Sequence, residues 1–150
     1  VQDNPDIVVL GFDTTLTYDK IWKLCDFVRA GLPYFATHPD INCPTENGFM
    51  PDIGAIMAMV TSSTGRDPDL VIGKPHPPII QAIFEMTGFP PAQIAMVGDR
   101  LYTDIALGKA GITTILVLSG EATCQDIPNA PVKPDFVFEN LAALYKMLRG

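Results

Sequence analysis

Two short stretches of the sequence carry side chains suited to handling a phosphate and a metal ion. The first is Ile72-Gly73-Lys74-Pro75. Pro75 lacks an N–H and biases the residue before it away from helix, so Lys74 is expected on an extended turn at the end of a strand. A lysine held there offers a point charge to a phosphate, or neutralises a neighbouring carboxylate. Taken alone the motif is weak, because a solvated loop lysine has the same sequence. A P-loop is excluded, since the second glycine and the Ser/Thr after the lysine are missing. The second stretch is Met96-Val97-Gly98-Asp99-Arg100-Leu101-Tyr102-Thr103-Asp104. Gly98 permits a sharp exit from a strand, Asp99 then points into the crevice at the strand end, and Asp104 is close enough to share the site. Two carboxylates there are hard oxygen ligands that suit Mg²⁺. A plainer reading has Asp99 and Thr103 capping the next helix and Asp104 answering its dipole. The two readings are compatible.

The elements that must position these residues follow from periodicity and punctuation. Ile7 to Leu10 is an apolar, β-branched run ended by Gly11, which predicts a buried strand. Thr17 stands at an N-cap position, and Ile21, Trp22, Leu24, Cys25 and Val28 follow at helical spacing up to Gly31. Trp22 is read as packing in the core. Residues 33–37 predict a strand, 38–51 a loop, and 53–64 a helix stopped at Gly65. Asp67-Pro68 reads as a joint. Beyond it the pattern is βαβαβ: strands at 70–72, 94–97 and 113–118, helices at 78–87 and 102–110, then a short strand at 136–138 and a helix at 141–148. Continuous apolar strands between helices predict an α/β fold with a parallel sheet, and ligands gather at the carboxyl ends of such strands. Right-handed crossovers lead us to expect strands 70–72 and 94–97 side by side, with Lys74 next to Asp99.

Composition bounds the function classes. The 150 residues carry a net charge of −7, with 47% hydrophobic and 18% charged residues, an ordinary balance for a soluble protein. So acidic a chain lacks the basic face that nucleic acid requires. No apolar run reaches the ~20 residues needed to cross a bilayer, and the acidic start has no signal-peptide shape. Cys25, Cys43 and Cys124 form no C-x-x-C pair, so neither a zinc site nor a disulfide framework is suggested, and a reducing cytoplasm is the default location. The chain starts without Met and enters a strand within a few residues, which reads as a fragment of a longer protein.

Gly73-Lys74-Pro75, then Gly98-Asp99 through Thr103-Asp104, then Ala110-Gly111-Ile112-Thr113-Thr114-Ile115-Leu116-Val117-Leu118-Ser119-Gly120 resemble the haloacid dehalogenase (HAD) superfamily. More narrowly they resemble its NagD/p-nitrophenyl-phosphatase branch. Val8 to Asp13, Leu16 to Lys20 and Ala36-Thr37-His38-Pro39-Asp40 match the same branch, so the resemblance covers nearly the whole chain. It implies Lys74 as the lysine that pairs with the nucleophile and the substrate phosphate, Asp99 as a magnesium ligand, and Asp104 as the second acid that orients metal-bound water or Lys74. It implies residues 1–67 as the C-terminal half of a C2-type cap and 68–150 as the C-terminal half of a Rossmann-like core. His38 and Asp40 would lie in the cap loop that overlooks the substrate. The branch usually has Asn at the first of these positions, which leaves substrate preference open.

The departure from the family is the first motif, D-x-D-G, which supplies nucleophile and general acid. Leu10-Gly11-Phe12-Asp13-Thr14-Thr15 imitates it, but with Asp13 as the second acid the first falls on Gly11, and with Asp13 as the first the second falls on Thr15. Asp13 is therefore read as a cap residue. The function implied is Mg²⁺-dependent hydrolysis of small phosphate monoesters through an aspartyl-phosphate, with the nucleophile outside this chain. The partner is a small phosphorylated metabolite, with no nucleic acid or membrane and with homo-oligomerisation allowed. The alternative is a non-catalytic HAD-like binding or regulatory remnant. A receiver-like signalling domain is disfavoured by the order of lysine and acids. His76, Asp126, Asp135 and Glu139 are read as solvated.

Overall fold

The computed structural model describes residues 3–150. The chain divides into two compact units, Val1–Gly73 and Lys74–Gly150.

In the first unit, β1 (Val8–Leu10), β2 (Tyr34–Ala36) and β5 (Leu70–Val71) form a parallel sheet in the order β1-β2-β5. Helix α1 (Tyr18–Arg29) connects the first pair of strands, and its N-cap Thr17 accepts from Lys20 N at 3.3 Å, as the sequence predicts. Helix α2 (Ile53–Thr64) is capped by Asp52 and ends at Gly65, whose φ of 71° is the left-handed conformation a helix-terminating glycine supplies. Val8, Leu10, Cys25, Val28, Tyr34, Ala36, Ile53 and Val60 make the core between sheet and helices. Arg66 closes its open end. Its guanidinium donates to the carbonyls of Val28 and Leu32 and to Asp69, and the Asp69 carboxylate in turn accepts from Tyr34 N.

Three expectations are corrected here. Residues 38–51 are not simply a loop: β3 (Asn42–Thr45) and β4 (Gly48–Pro51) pair as an antiparallel hairpin, with Thr45 opposite Gly48. Strand 70–72 does not pair with 94–97. Phe35 pairs with Leu70 and Ala36 with Val71, and Ile72 N donates to Ala36 O, so this segment's backbone groups are satisfied inside the first sheet and the chain divides after Gly73 rather than at Asp67-Pro68. Trp22 is 61% exposed; helical spacing placed it on the edge of the apolar stripe, and Cys25 and Val28 take the buried positions.

Tyr34 is completely buried, yet among the described residues its hydroxyl has no hydrogen-bond partner. Burial, with Cys25 and Asp67 nearby, pushes its phenol up to about 12. An unpaired buried hydroxyl costs on the order of 1–3 kcal/mol. Tyr34→Phe is therefore expected to preserve the packing and raise stability by about 1 kcal/mol, as read by urea unfolding. A loss of stability would show that the hydroxyl is satisfied.

In the second unit, β6 (Ala95–Gly98), β7 (Thr113–Val117) and β8 (Phe136–Phe138) form a parallel sheet in that order, with Gly98 opposite Leu116 and Ile115 opposite Phe136. The β6–β7 connection is a run of turns followed by a 3-10 segment, Ile105–Ala110, rather than the α-helix the sequence predicts over 102–110. Asp104 turns its side chain inward there, and both its own N and that of Ile105 donate to Arg100 O, while Leu107 N donates to Asp104 O and Gly111 N to Gly108 O in the i→i−3 pattern of a 3-10 segment. Ile105, Leu116 and Ala122 form the buried cluster, packed by Leu101, Leu118, Ile127 and Val132. Helix α3 (Pro77–Thr87) buries none of its residues fully, whereas α4 (Leu141–Arg149) buries Leu144. A three-stranded sheet spans about 10 Å, room for roughly one helix per face. Asp135 is not merely solvated, because its carboxylate accepts from Thr114 N at 2.8 Å and Thr114 Oγ1 at 3.0 Å. Among the described residues, no helix is long and apolar enough to cross a membrane.

Candidate active site

β6 ends at Gly98, and the next residue is Asp99. A Cβ on Gly98 would lie 2.3 Å from Asp104 Cγ, so only glycine lets the Asp104 carboxylate fold back over the strand end. Asp104 is 3% exposed. One of its oxygens receives Lys74 Nζ in an ion pair, and the other accepts from Arg100 N at 3.2 Å. A buried carboxylate is tolerated only when paired and hydrogen-bonded, and this one is both. Its partner Lys74 remains 42% exposed. The ammonium is thus held in place on one side and open on the other, which suits the binding of a phosphate oxygen. The Lys74–Pro75 peptide bond is cis.

Asp99 is fixed differently. Its Oδ2 accepts from Glu121 N at 2.9 Å, and Ala122 N donates to the Asp99 carbonyl at 3.0 Å. The segment after β7 therefore wraps this residue. This oxygen is taken by the backbone, and the carboxylate offers a hard oxygen donor that fits Mg²⁺ as one ligand of several. Arg100 Nε donates to Glu121 at 2.8 Å and pins the same segment. Lys74 is thus brought into contact with Asp104, the pairing that the family resemblance implies, without the expected pairing of β5 with β6.

In the first unit, His38 follows the carboxyl end of β2. Its Nε2 is 2.8 Å from Asp52 Oδ1 and its Nδ1 is 2.9 Å from Thr37 Oγ1. Asp40 lies in the same cluster, with one donor atom from each of His38, Asp40 and Asp52 within 4.8 Å of one another. Asp13 is tied up locally: Oδ1 accepts from Thr15 N and Oγ1, and Oδ2 pairs with Lys20 at 2.6 Å. The bond from Lys20, then those from Thr15, lower its pKa from 3.8 to about 2. Its contribution to stability is present above the ordinary value and fades as pH falls towards about 2, a small effect for so exposed a group.

Residues 71–144 match the HAD-hydrolase-like family model. An acid sugar phosphatase of Staphylococcus aureus is 40% identical over 93% of this chain and 54% of its own length. The crystal structure of a 4-nitrophenylphosphatase from Thermotoga maritima superposes with a TM-score of 0.89 at 58% identity, over 96% of this chain and 56% of that one. Over nearly its whole length the chain is similar to haloacid dehalogenase-like hydrolases. It spans about half the length of the curated relatives it matches. A glycerol phosphate phosphatase from Mycobacterium tuberculosis, solved in complex with magnesium, matches with a TM-score of 0.84 at 33% identity, over 95% of this chain and 43% of that one.

For this haloacid dehalogenase-like chain, sequence reasoning left out three residues that shape the two clusters. Asp52 was legible as an N-cap, since it stands directly before the apolar helical run from Ile53. Glu121 carried no signal, because it meets Asp99 through its backbone N–H. Gly120 lay inside a quoted motif without an assigned task. A Cβ at Gly120 would lie 2.0 Å from Asp99 Oδ2. Gly120→Ala is therefore expected to push the Asp99 carboxylate off the Glu121 amide and to lower the apparent Mg²⁺ affinity of the complete protein by about 10–100-fold, the scale of lost ligand-orienting contacts. A magnesium activation curve that matches wild type would refute this.

Proposed function

We propose that the protein carrying this chain hydrolyses small phosphate monoesters with Mg²⁺, through an aspartyl-phosphate intermediate whose nucleophile lies outside these 150 residues. The observation that carries this reading is the Lys74 ammonium, half exposed and anchored on the buried, doubly bonded Asp104, close in sequence to the fixed carboxylate of Asp99. Lys74 would bind a phosphate oxygen and draw the substrate into line. Asp104 would hold Lys74 in position through the reaction. Asp99 would hold Mg²⁺, which when bound neutralises charge on the phosphoryl group. The relatives' names, acid sugar phosphatase and 4-nitrophenylphosphatase, support small phosphorylated metabolites as substrates. In this reading the first unit belongs to a cap, in which His38 and Asp40 take part in substrate recognition, and the second unit belongs to the catalytic core. The cytoplasm is the proposed location.

The test is a panel of phosphate monoesters assayed on the full-length protein with Mg²⁺ and after chelation. Hydrolysis of one or more esters that chelation abolishes and Mg²⁺ restores is the expected result. Absence of hydrolysis across the panel, or hydrolysis indifferent to chelation, would refute the reading.

A further inference from the structure

His38 would be an unusual recognition residue, because both of its ring nitrogens are already used. Nδ1 is 2.9 Å from Thr37 Oγ1 and Nε2 is 2.8 Å from Asp52 Oδ1. A carboxylate can only accept, so Nε2 carries the proton. Among the described residues of the first unit, Asp52 is the only buried acid. Its Oδ1 also accepts from Ile53 N at 2.7 Å, which fixes the carboxylate to the start of α2. The imidazole is thereby clamped from both sides and its ring orientation is set. Its place in the unit gives this significance. A Cβ on Gly73 would lie 2.8 Å from His38 Cβ and 2.6 Å from Thr37 O, so His38 packs against the glycine that immediately precedes Lys74 in the chain.

We infer that Asp52 is a positioning residue for substrate selection: it locks the His38 ring in one orientation, so that the ring meets the organic part of a phosphate ester as a rigid wall rather than as a free hydrogen-bonding group. This rests on the proposed reading of His38 as a substrate-recognition residue. Asp52 acts through His38 and touches no reacting atom.

The experiment uses the full-length protein with p-nitrophenyl phosphate and glycerol phosphate as probes. Asp52→Ser keeps an N-cap acceptor but is too short to reach His38, whereas Asp52→Asn keeps an acceptor for both bonds. Asp52→Ser is expected to raise KM about three- to tenfold, the loss of one hydrogen bond, with kcat changed less than about twofold and Tm close to wild type. Asp52→Asn is expected to restore KM. Adding Asp52→Ser to His38→Ala is expected to have no further effect on KM, because a residue that acts only through its neighbour is silent once that neighbour is gone. An unchanged KM in Asp52→Ser beside a raised KM in His38→Ala would overturn the inference and leave Asp52 as a helix cap alone. An unchanged KM in His38→Ala for both esters would instead remove His38 from recognition, and the inference with it, while Mg²⁺-dependent hydrolysis stood. If Asp52→Ser fails to fold, Thr37→Val, which removes the ring's other partner away from the cap, must raise KM by a similar factor; an unchanged KM there overturns the proposal.

Discussion

Replacing Asp99 with Asn is expected to lower turnover of the complete protein by about 100-fold or more and to shift its magnesium requirement upward. Two effects act together. The substitution removes the negative charge that would attract the cation. It also disturbs the way the side chain is held, because the Asp99 Oδ2 that accepts from Glu121 N would share its group with an amide that donates. If the Asn oxygen turns to the Glu121 amide, the NH₂ faces the cation and repels it. If it turns the other way, the Glu121 N–H meets a second donor. Neither orientation serves both needs, so Asn is expected to be nearly as damaging as Ala despite its matched shape. Initial rates against Mg²⁺ concentration provide the check. A variant whose rate and magnesium midpoint match wild type would remove Asp99 from the reaction.

The 150 residues expressed alone are expected to show no measurable hydrolysis of p-nitrophenyl phosphate. Lys74 and Asp104 are engaged with each other and Asp99 is held by the Glu121 amide, but none of these three is a nucleophile with an acid two residues on. Asp67-Pro68-Asp69 has that spacing but precedes its strand rather than following one, with Asp67 accepting from Thr61 and Asp69 from Arg66 and Tyr34 N. Asp13, which follows β1, has its two oxygens occupied by Thr15 and Lys20. Near-UV circular dichroism should first establish that the fragment is folded. Turnover that disappears on Asp13→Asn would identify Asp13 as the attacking group. Turnover that appears only when the segment upstream in the gene is included would place the nucleophile there, and an upstream gene segment without D-x-D would favour the non-catalytic alternative.

Much of the fold was legible because it depends on local rules. Thr17 caps α1, and Gly65, Gly88 and Gly111 end their segments at positive φ, as the sequence predicts from composition at those positions. The α/β pattern and the parallel pairing followed from apolar runs between helical periods. What remained hidden was non-local. The partner of the two-residue strand β5 is β2, a choice fixed by backbone groups near Asp69 and Ile72 rather than by any side-chain pattern. The hairpin at Asn42–Pro51 contains Pro44 and exposed side chains throughout most of its length, so neither alternation nor β-propensity announced it. At the candidate site, Lys74, Asp99 and Asp104 were readable from type and spacing. Their holders were not, since Arg100 N and Glu121 N are main-chain donors that every residue possesses.

The bond from the Glu121 amide to Asp99 makes that amide a reporter built into the backbone. A proton donated to a carboxylate resonates and exchanges according to how much negative charge the acceptor presents, and a cation on the opposite oxygen would withdraw some of it. A magnesium titration followed by ¹⁵N–¹H spectra of the labelled fragment would therefore register occupancy of Asp99 at a neighbour's peak, without substrate, turnover or any residue beyond the 150 in hand.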